Sequence, residues 1–349
     1  MEKEIKIADF NIGKDGVFII AELSANHGGD IEIAKETIRA AKRAGADAIK
    51  LQTYTADTIT IDCKKDDFLI KGTIWEGKNL YDLYREASLP WDWHAELFDI
   101  AREEGLICFS SPFDKTAVDF LEALKVPAYK IASFEITDIP LIEYVAVKGK
   151  PMIISTGVAT DKDIQLAVDT CKNVGNDAII LLKTSSQYPA LIEDANLLMI
   201  PDLAQRFGVL SGLSDHTIGE LVPIVATSLG AVVIEKHFIL EKKIGGPDAA
   251  FSLDEQAFKK MVDAVRATEK SLGTIDYTLS EKAQSSRMFS RSLYVVKNMK
   301  AGSVITDKHV RSIRPGYGLH PQYLKDIIGK RINRDLEKGT PFDLIFVEN

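Results

Sequence analysis

The chain has 349 residues, 46% of them hydrophobic and 27% charged, with 23 glycines and 12 prolines, a mix that excludes disorder as its main state. Lysine and arginine total 43 against 51 aspartates and glutamates, a formal charge of −8 with no basic block, which argues against a general binder of nucleic acid or of an acidic membrane while allowing a local cationic pocket. The length fits one large α/β unit of roughly 250 residues plus a small partner domain.

The opening stretch MEKEIKIADFNIGKDG is charged and has no apolar run ahead of a small-residue cleavage site. No stretch reaches the ~20 apolar residues of a membrane span, so the expected address is the cytoplasm. From about residue 17 to 273, short β-rich apolar runs alternate with segments of helical period. The runs cover residues 17–21, 48–52, 106–110, 128–131, 152–155, 178–182, 209–213 and 232–236. Several are nearly continuous in apolar residues, as strands buried on both faces should be, and eight β–α units predict a closed (β/α)₈ TIM barrel. Periodicity alone leaves an open doubly wound sheet as the alternative, but the Gly-x-Gly-x-x-Gly fingerprint is absent.

Between them, Ile31, Ala34, Ile38 and Ala41 form a helical stripe before Gly45, and Val118, Leu121 and Leu124 form another. The last repeat helix begins at a capping-box pattern, Ser252 with Glu255, and stops at Gly273. Residues 53–95 exceed a normal βα loop and concentrate Trp75, Tyr81, Tyr84, Trp91 and Trp93; they read either as an excursion packed on the barrel or as a lid or oligomer contact. Residues 274–289 read as a linker, and 290–349 as a small β-rich domain broken by Lys-Ala-Gly and Lys-Gly-Thr turns. Cys63, Cys108 and Cys171 form no Cys-x-x-Cys pair, so neither a disulfide framework nor a thiolate zinc site is indicated.

A barrel of this kind carries its active site at the C-terminal ends of the strands, and polar residues are dense there. They include Glu22, Lys50, Gln52, Ser110, Ser111, Lys130, Ser133, Glu135, Ser155, Lys183, Ser185, Tyr188, Ser214, Asp215, His216, Glu235 and His237. Burying unpaired charges costs several kcal/mol each, which favours a catalytic barrel over a non-catalytic one that binds a glycan or protein. His216 and His237, on consecutive strand ends, are candidate ligands of an open divalent site for Mn²⁺ or Mg²⁺. Glu235 shares a face with His237, whereas Lys236 points the other way. Lys50, Lys130 and Lys183 among hydroxyls suit a phosphate pocket, and a lone lysine suits a Schiff base equally well. Walker, nucleophile-elbow and His-Glu-x-x-His motifs are missing.

The strings IIAELSANHGG (19–29), IKLQTY (49–54), CFSSPF (108–113), AYKIASFE (128–135), STG (155–157), GLSDHT (212–217) and IEKHF (234–238), in that order, resemble the sialic (nonulosonic) acid synthases. IRPGYGLHP at 313–321 resembles the antifreeze-like (SAF) domain those enzymes carry. The resemblance implies condensation of phosphoenolpyruvate with an open-chain amino sugar, in a metal-dependent, domain-swapped homodimer. It implies that Lys50, Ser111, Lys130, Ser133, Ser155, Ser185 and Ser214 hold the phosphate and carboxylate, that His216 and His237 bind the metal, and that Glu22 and Glu235 stand at the reacting centre. Tyr188 and Asp248 match sugar contacts, and Arg314 matches an arginine that the tail domain extends into the other subunit's site. Within the family, DFLIKGTIW and NLYDLY in the insertion, with LKTSSQYP (182–189), AAFSLD (249–254) and YGLHP (317–321), resemble members whose acceptor is a diacetamido sugar of the L-altrose series, whereas GGPD at 245–248 resembles relatives that make N-acetylneuraminic or legionaminic acid.

Overall fold

The structure, a computed structural model, describes residues 3–348. It divides into two compact units, Met1–Gly273 and Thr274–Asn349.

The first unit opens with a hairpin, β1 (Ile5–Ile7) and β2 (Phe10–Ile12). Eight parallel strands follow: β3 (Phe18–Glu22), β4 (Ala48–Thr53), β5 (Ile107–Pro112), β6 (Tyr129–Ile131), β7 (Met152–Ser155), β8 (Ile179–Thr184), β9 (Leu210–Asp215) and β10 (Val233–His237). They close into a barrel in which β10 pairs with β3. This is the expected TIM barrel, and helices alternate with its strands. Among the described residues, no helix is long and apolar enough to cross a membrane.

Alternation along each strand sorts its residues into two cores. Ile19, Ala21, Ile49, Leu51, Ile131, Ile154, Leu181 and Ile234 pack outward against the helices. Phe18, Ile20, Ala48, Phe109, Ala128, Ile153, Ile180, Leu182 and Val233 fill the inside, together with Ile5, Ile7 and Ile12 of the hairpin. The inside is therefore apolar towards the strand starts and polar towards their ends. The hairpin is absent from the sequence reading; its only signal is the alternation of Ile-Lys-Ile and Phe-Asn-Ile.

Several strands run one or two residues past the predicted apolar runs, because a polar residue can end a hydrophobic run without ending backbone pairing. The helix Ile31–Arg43 is capped by the Asp30 side chain and ends ahead of Gly45, whose φ of +89° favours glycine. The helix Glu255–Leu272 corrects an expectation: Asp254, not Ser252, caps it, accepting from the Ala257 N–H. Ser252 is buried and committed elsewhere, donating to the Asp248 carbonyl and accepting from Asn26.

The second unit pairs β11 (Ser292–Val295) with β12 (Val310–Ile313) around Leu293, Val295, Met299, Ile305, Val310, Ile327, Ile332, Leu336 and Phe342. The stretch read as a linker holds a short helix, Glu281–Ser286, capped by Ser280, and a 3-10 turn, Arg287–Phe289. Such a helix is too short to show a hydrophobic period.

Candidate active site

Four strands deliver a chain of opposite charges to the barrel mouth. The Lys50 ammonium on β4 lies 2.8 Å from Glu22 Oε2 on β3 and 3.2 Å from Glu235 Oε1 on β10. Lys130 on β6 donates to the same Glu235 oxygen at 2.9 Å, and the Ser214 hydroxyl on β9 donates to it at 3.0 Å. All five residues are buried. Gln52 donates to Glu22 Oε1 at 3.0 Å and to the Ser24 hydroxyl at 3.1 Å.

Burial raises the Glu22 carboxyl to about 7; Lys50 opposes the shift and the neighbouring Glu235 adds to it. Glu235 goes the other way: burial opposes ionisation, but Lys130 and Lys50 together hold its carboxyl well below the usual range. Burial brings Lys130 down to about 8 against the pull of Glu235, and Lys50 stays raised because its two carboxylates outweigh desolvation. Environments that push two neighbouring carboxyls apart in this way suit one for proton transfer and the other for fixed charge.

Around this chain stand buried polar atoms without hydrogen-bond partners: the hydroxyls of Ser111, Ser155 and Ser186, Oε2 of Glu135 and of Glu235, and Nδ1 of His237. Each lies on a barrel strand end or in the loop just after one. Orphaned buried groups are costly in a finished core, so their gathering at one mouth points to a polar ligand. Burial raises Glu135 to about 7. The Ser133 hydroxyl accepts from the Gly157 N–H at 3.3 Å, and a Cβ at Gly157 would stand 2.1 Å from Ser186 Oγ and 2.9 Å from Ser133 Oγ. Glycine thus keeps open a small cradle edged by two hydroxyls.

Some expected residues face elsewhere. Ser185 gives its hydroxyl to the Asp194 carbonyl, and the hydroxyl left free is that of Ser186, a strand-end residue that the family resemblance passes over in favour of Ser185. These positions follow the end of β8, where strand alternation no longer assigns a direction. Asp215 turns away from the mouth: its carboxylate holds Lys236 and the N–H and hydroxyl of Thr217. Alternation explains this, since Ser214 beside it points inward. Lys183 also sits on the alternate face, donating to the Thr184 carbonyl at 2.9 Å. Arg314, in the second unit, is exposed.

An aromatic wall flanks the polar mouth. Tyr188 packs on His216, with centroids 4.4 Å apart, and on Phe251 at 5.1 Å; Phe251 meets His237 at 4.9 Å. Trp75, from the 53–95 insertion, lies 5.8 Å from Tyr188 and donates its indole N–H to the Pro247 carbonyl at 3.1 Å. The insertion therefore reaches the aromatic wall through Trp75. Asp248, the next residue after that carbonyl, accepts from Ser24 and lies 3.7 Å from His237 Nδ1.

His216 and His237 face each other at the mouth with the geometry of a pair of cation ligands. The two rings stand 5.3 Å apart, and His216 Nδ1 faces the Ser185 carbonyl at 2.8 Å, which an Nδ1–H satisfies and which leaves Nε2 with a free lone pair. Burial holds both imidazoles neutral, bringing His216 to about 4 and His237 well below its usual value. Neutral rings and an orphaned nitrogen fit a divalent cation. Among the described residues no cluster of three or more His, Cys, Asp or Glu ligands forms, so the fit is to an open site with two protein ligands.

The NeuB family matches residues 37–277, and the SAF domain matches residues 290–344. The pseudaminic acid synthase of Campylobacter jejuni is 48% identical over 335 residues, 96% of this chain and 97% of that protein. The N,N'-diacetyllegionaminic acid synthase of Legionella pneumophila is 37% identical over 328 residues, 93% and 92% of the two chains. The crystal structure of the spore coat polysaccharide biosynthesis protein SpsE of Bacillus subtilis aligns with a TM-score of 0.67 and 33% identity, covering 99% of each chain.

Proposed function

The chain belongs to the NeuB family, and on that premise we propose that it is a pseudaminic acid synthase. It condenses phosphoenolpyruvate with the open-chain aldehyde of 2,4-diacetamido-2,4,6-trideoxy-L-altrose and water, giving pseudaminic acid and phosphate. The observation that carries this reading is the gathering of unpartnered buried hydroxyls and two buried lysines at the same strand ends, a complement to one small polyanion. The higher identity to the pseudaminic than to the legionaminic relative supports the choice of acceptor.

Lys50 and Lys130 neutralise the carboxylate and phosphate of phosphoenolpyruvate, and Ser111, Ser133, Ser155 and Ser186 donate to their oxygens, while Ser214 keeps its hydrogen bond to Glu235. Tyr188 and Asp248 hold the acceptor beside the aromatic wall. The enol methylene carbon attacks the aldehyde carbon as the aldehyde carbonyl bond opens onto its oxygen, and that oxygen takes up a proton from solvent. Water adds to the cationic C2 and loses a proton to Glu22, the carboxylate whose affinity lies near neutrality. The tetrahedral intermediate then breaks its C2–O bond to the phosphoryl oxygen as the C2 hydroxyl proton passes to the departing phosphate, leaving the C2 ketone. Glu235, held ionised, fixes both lysines throughout. A divalent cation, Mn²⁺ or Mg²⁺, held by His216 and His237 would supply Lewis-acid polarisation of the aldehyde carbonyl. The proposed enzyme is a cytoplasmic homodimer in which Arg314 of one copy completes the sugar site of the other.

A second reading is an N-acetylneuraminic or legionaminic acid synthase with an N-acetylmannosamine-type acceptor, which the resemblance of Gly-Gly-Pro-Asp at 245–248 to those relatives favours. Phosphate release from phosphoenolpyruvate, measured with a panel of 2-acetamido and 2,4-diacetamido hexoses, separates the two when product masses are read directly. Turnover should be highest with 2,4-diacetamido-2,4,6-trideoxy-L-altrose and lower with its manno-configured stereoisomer. Preference for N-acetylmannosamine or for the manno-configured diacetamido sugar would move the assignment to the second reading, and no phosphate with any sugar would end both.

A further inference from the structure

Lys236 and Asp215 occupy positions on the outer face of the barrel wall, where their strand neighbours Ile234 and Leu213 belong to the apolar layer beneath the helices. They are paired in register across β10 and β9, and their side chains are 0% and 2% exposed. An ion pair buried in an apolar layer is no more stabilising than an apolar pair of similar volume, so packing does not account for it.

What the pair does is geometric. Asp215 immediately precedes His216 and also accepts from the N–H and hydroxyl of Thr217, which immediately follows it. Lys236 immediately precedes His237 and donates both to Asp215 and to the Thr217 carbonyl. The backbone on either side of His216 is thus tied to the residue beside His237, while the Ser185 carbonyl fixes the His216 ring. The two imidazoles meet across the mouth at 63° between ring planes.

We propose that the Lys236–Asp215 pair is a positioning clamp, acting from behind the barrel wall, that sets the separation and orientation of His216 and His237 so that both bind one divalent cation. The inference rests on the metal role proposed for those histidines. Outer-shell partners of metal ligands typically change affinity 10–100-fold when removed.

The test is Mn²⁺ binding to the full chain, by titration calorimetry and by electron paramagnetic resonance of free Mn²⁺, with thermal unfolding of the metal-free protein alongside. Lys236→Met together with Asp215→Leu replaces the pair by apolar side chains and leaves no unpaired charge. The double variant should unfold within a few degrees of wild type and bind Mn²⁺ at least about tenfold more weakly. Wild-type affinity in a folded double variant would overturn the clamp and leave the metal reading standing. Wild-type protein that binds no Mn²⁺, or binding unchanged in His237→Ala, would overturn the metal reading and the clamp with it. Should the double variant not fold, Asp215→Asn preserves the volume, and wild-type Mn²⁺ affinity in it would overturn the clamp.

Discussion

Glu22 and Glu235 share one cation and differ over a second: Lys50 stands 2.8 Å from Glu22 and 3.2 Å from Glu235, and Lys130 adds an ion pair at 2.9 Å to Glu235. The difference assigns their protonation. Glu235 stays ionised, while Glu22 exchanges its proton near pH 7.

A pH profile follows from Glu22 and Lys130. Activity needs Glu22 deprotonated and Lys130 protonated, so kcat/KM should rise through about pH 7 and fall above about pH 8. Glu22→Gln should lower kcat by about 10²–10⁴-fold and abolish the rising limb. A rising limb that persists in the variant would take the base role from Glu22.

Glu135 offers a stability test with a defined sign. Its carboxyl, ordinarily near 4.5, is raised by burial to about 7 in the folded protein. Below pH 4.5 it is neutral in both states and no penalty arises; the penalty grows from there and is complete above pH 7. Glu135→Gln should therefore raise the unfolding free energy at pH 8 by about 1–3 kcal/mol, leave it unchanged at pH 4, and lower kcat/KM. Urea denaturation at the two pH values reads the effect. Equal stabilisation at both would mean that the Glu135 charge is not its source.

Trp75 is the point at which the insertion meets the aromatic wall. Trp75→Ala should raise the acceptor KM about tenfold, the scale of one lost aromatic contact, and leave the phosphoenolpyruvate KM within about twofold. Steady-state kinetics with each substrate varied decides it. Equal increases in both KM values would make Trp75 a general cover and not an acceptor contact.

The proposed exchange of Arg314 between copies predicts complementation. Arg314→Ala and Glu22→Gln should each be nearly inactive alone, yet mixing and re-equilibrating them should restore about a quarter of wild-type activity, since half the dimers are mixed and each holds one intact site. A mixture no more active than its components would contradict the exchange.

Much of the barrel is legible in the chain because its strands are buried on both faces and read as apolar runs of a few residues between helical stripes. The β1–β2 hairpin is not, because two strands of three residues are too short to stand out until Ile5, Ile7 and Ile12 are seen inside the barrel. Strand-end position brings Glu22, Lys50, Lys130, Ser214 and Glu235 together as candidates, and they meet. Asp215 shares that position but not the direction, and the choice between Ser185 and Ser186 depends on a loop beyond the last strand residue.

The sequence by itself determined which residue types stand at the strand ends, because a two-residue period places polar side chains at the mouth wherever a buried run gives way to them. Only the tertiary structure decided their partnerships. Lys130 and Glu235 are 105 residues apart in the chain and 2.9 Å apart in space. Whether a buried carboxyl binds a proton at neutral pH depends on such distances and on exclusion from water, quantities that closure of the barrel creates.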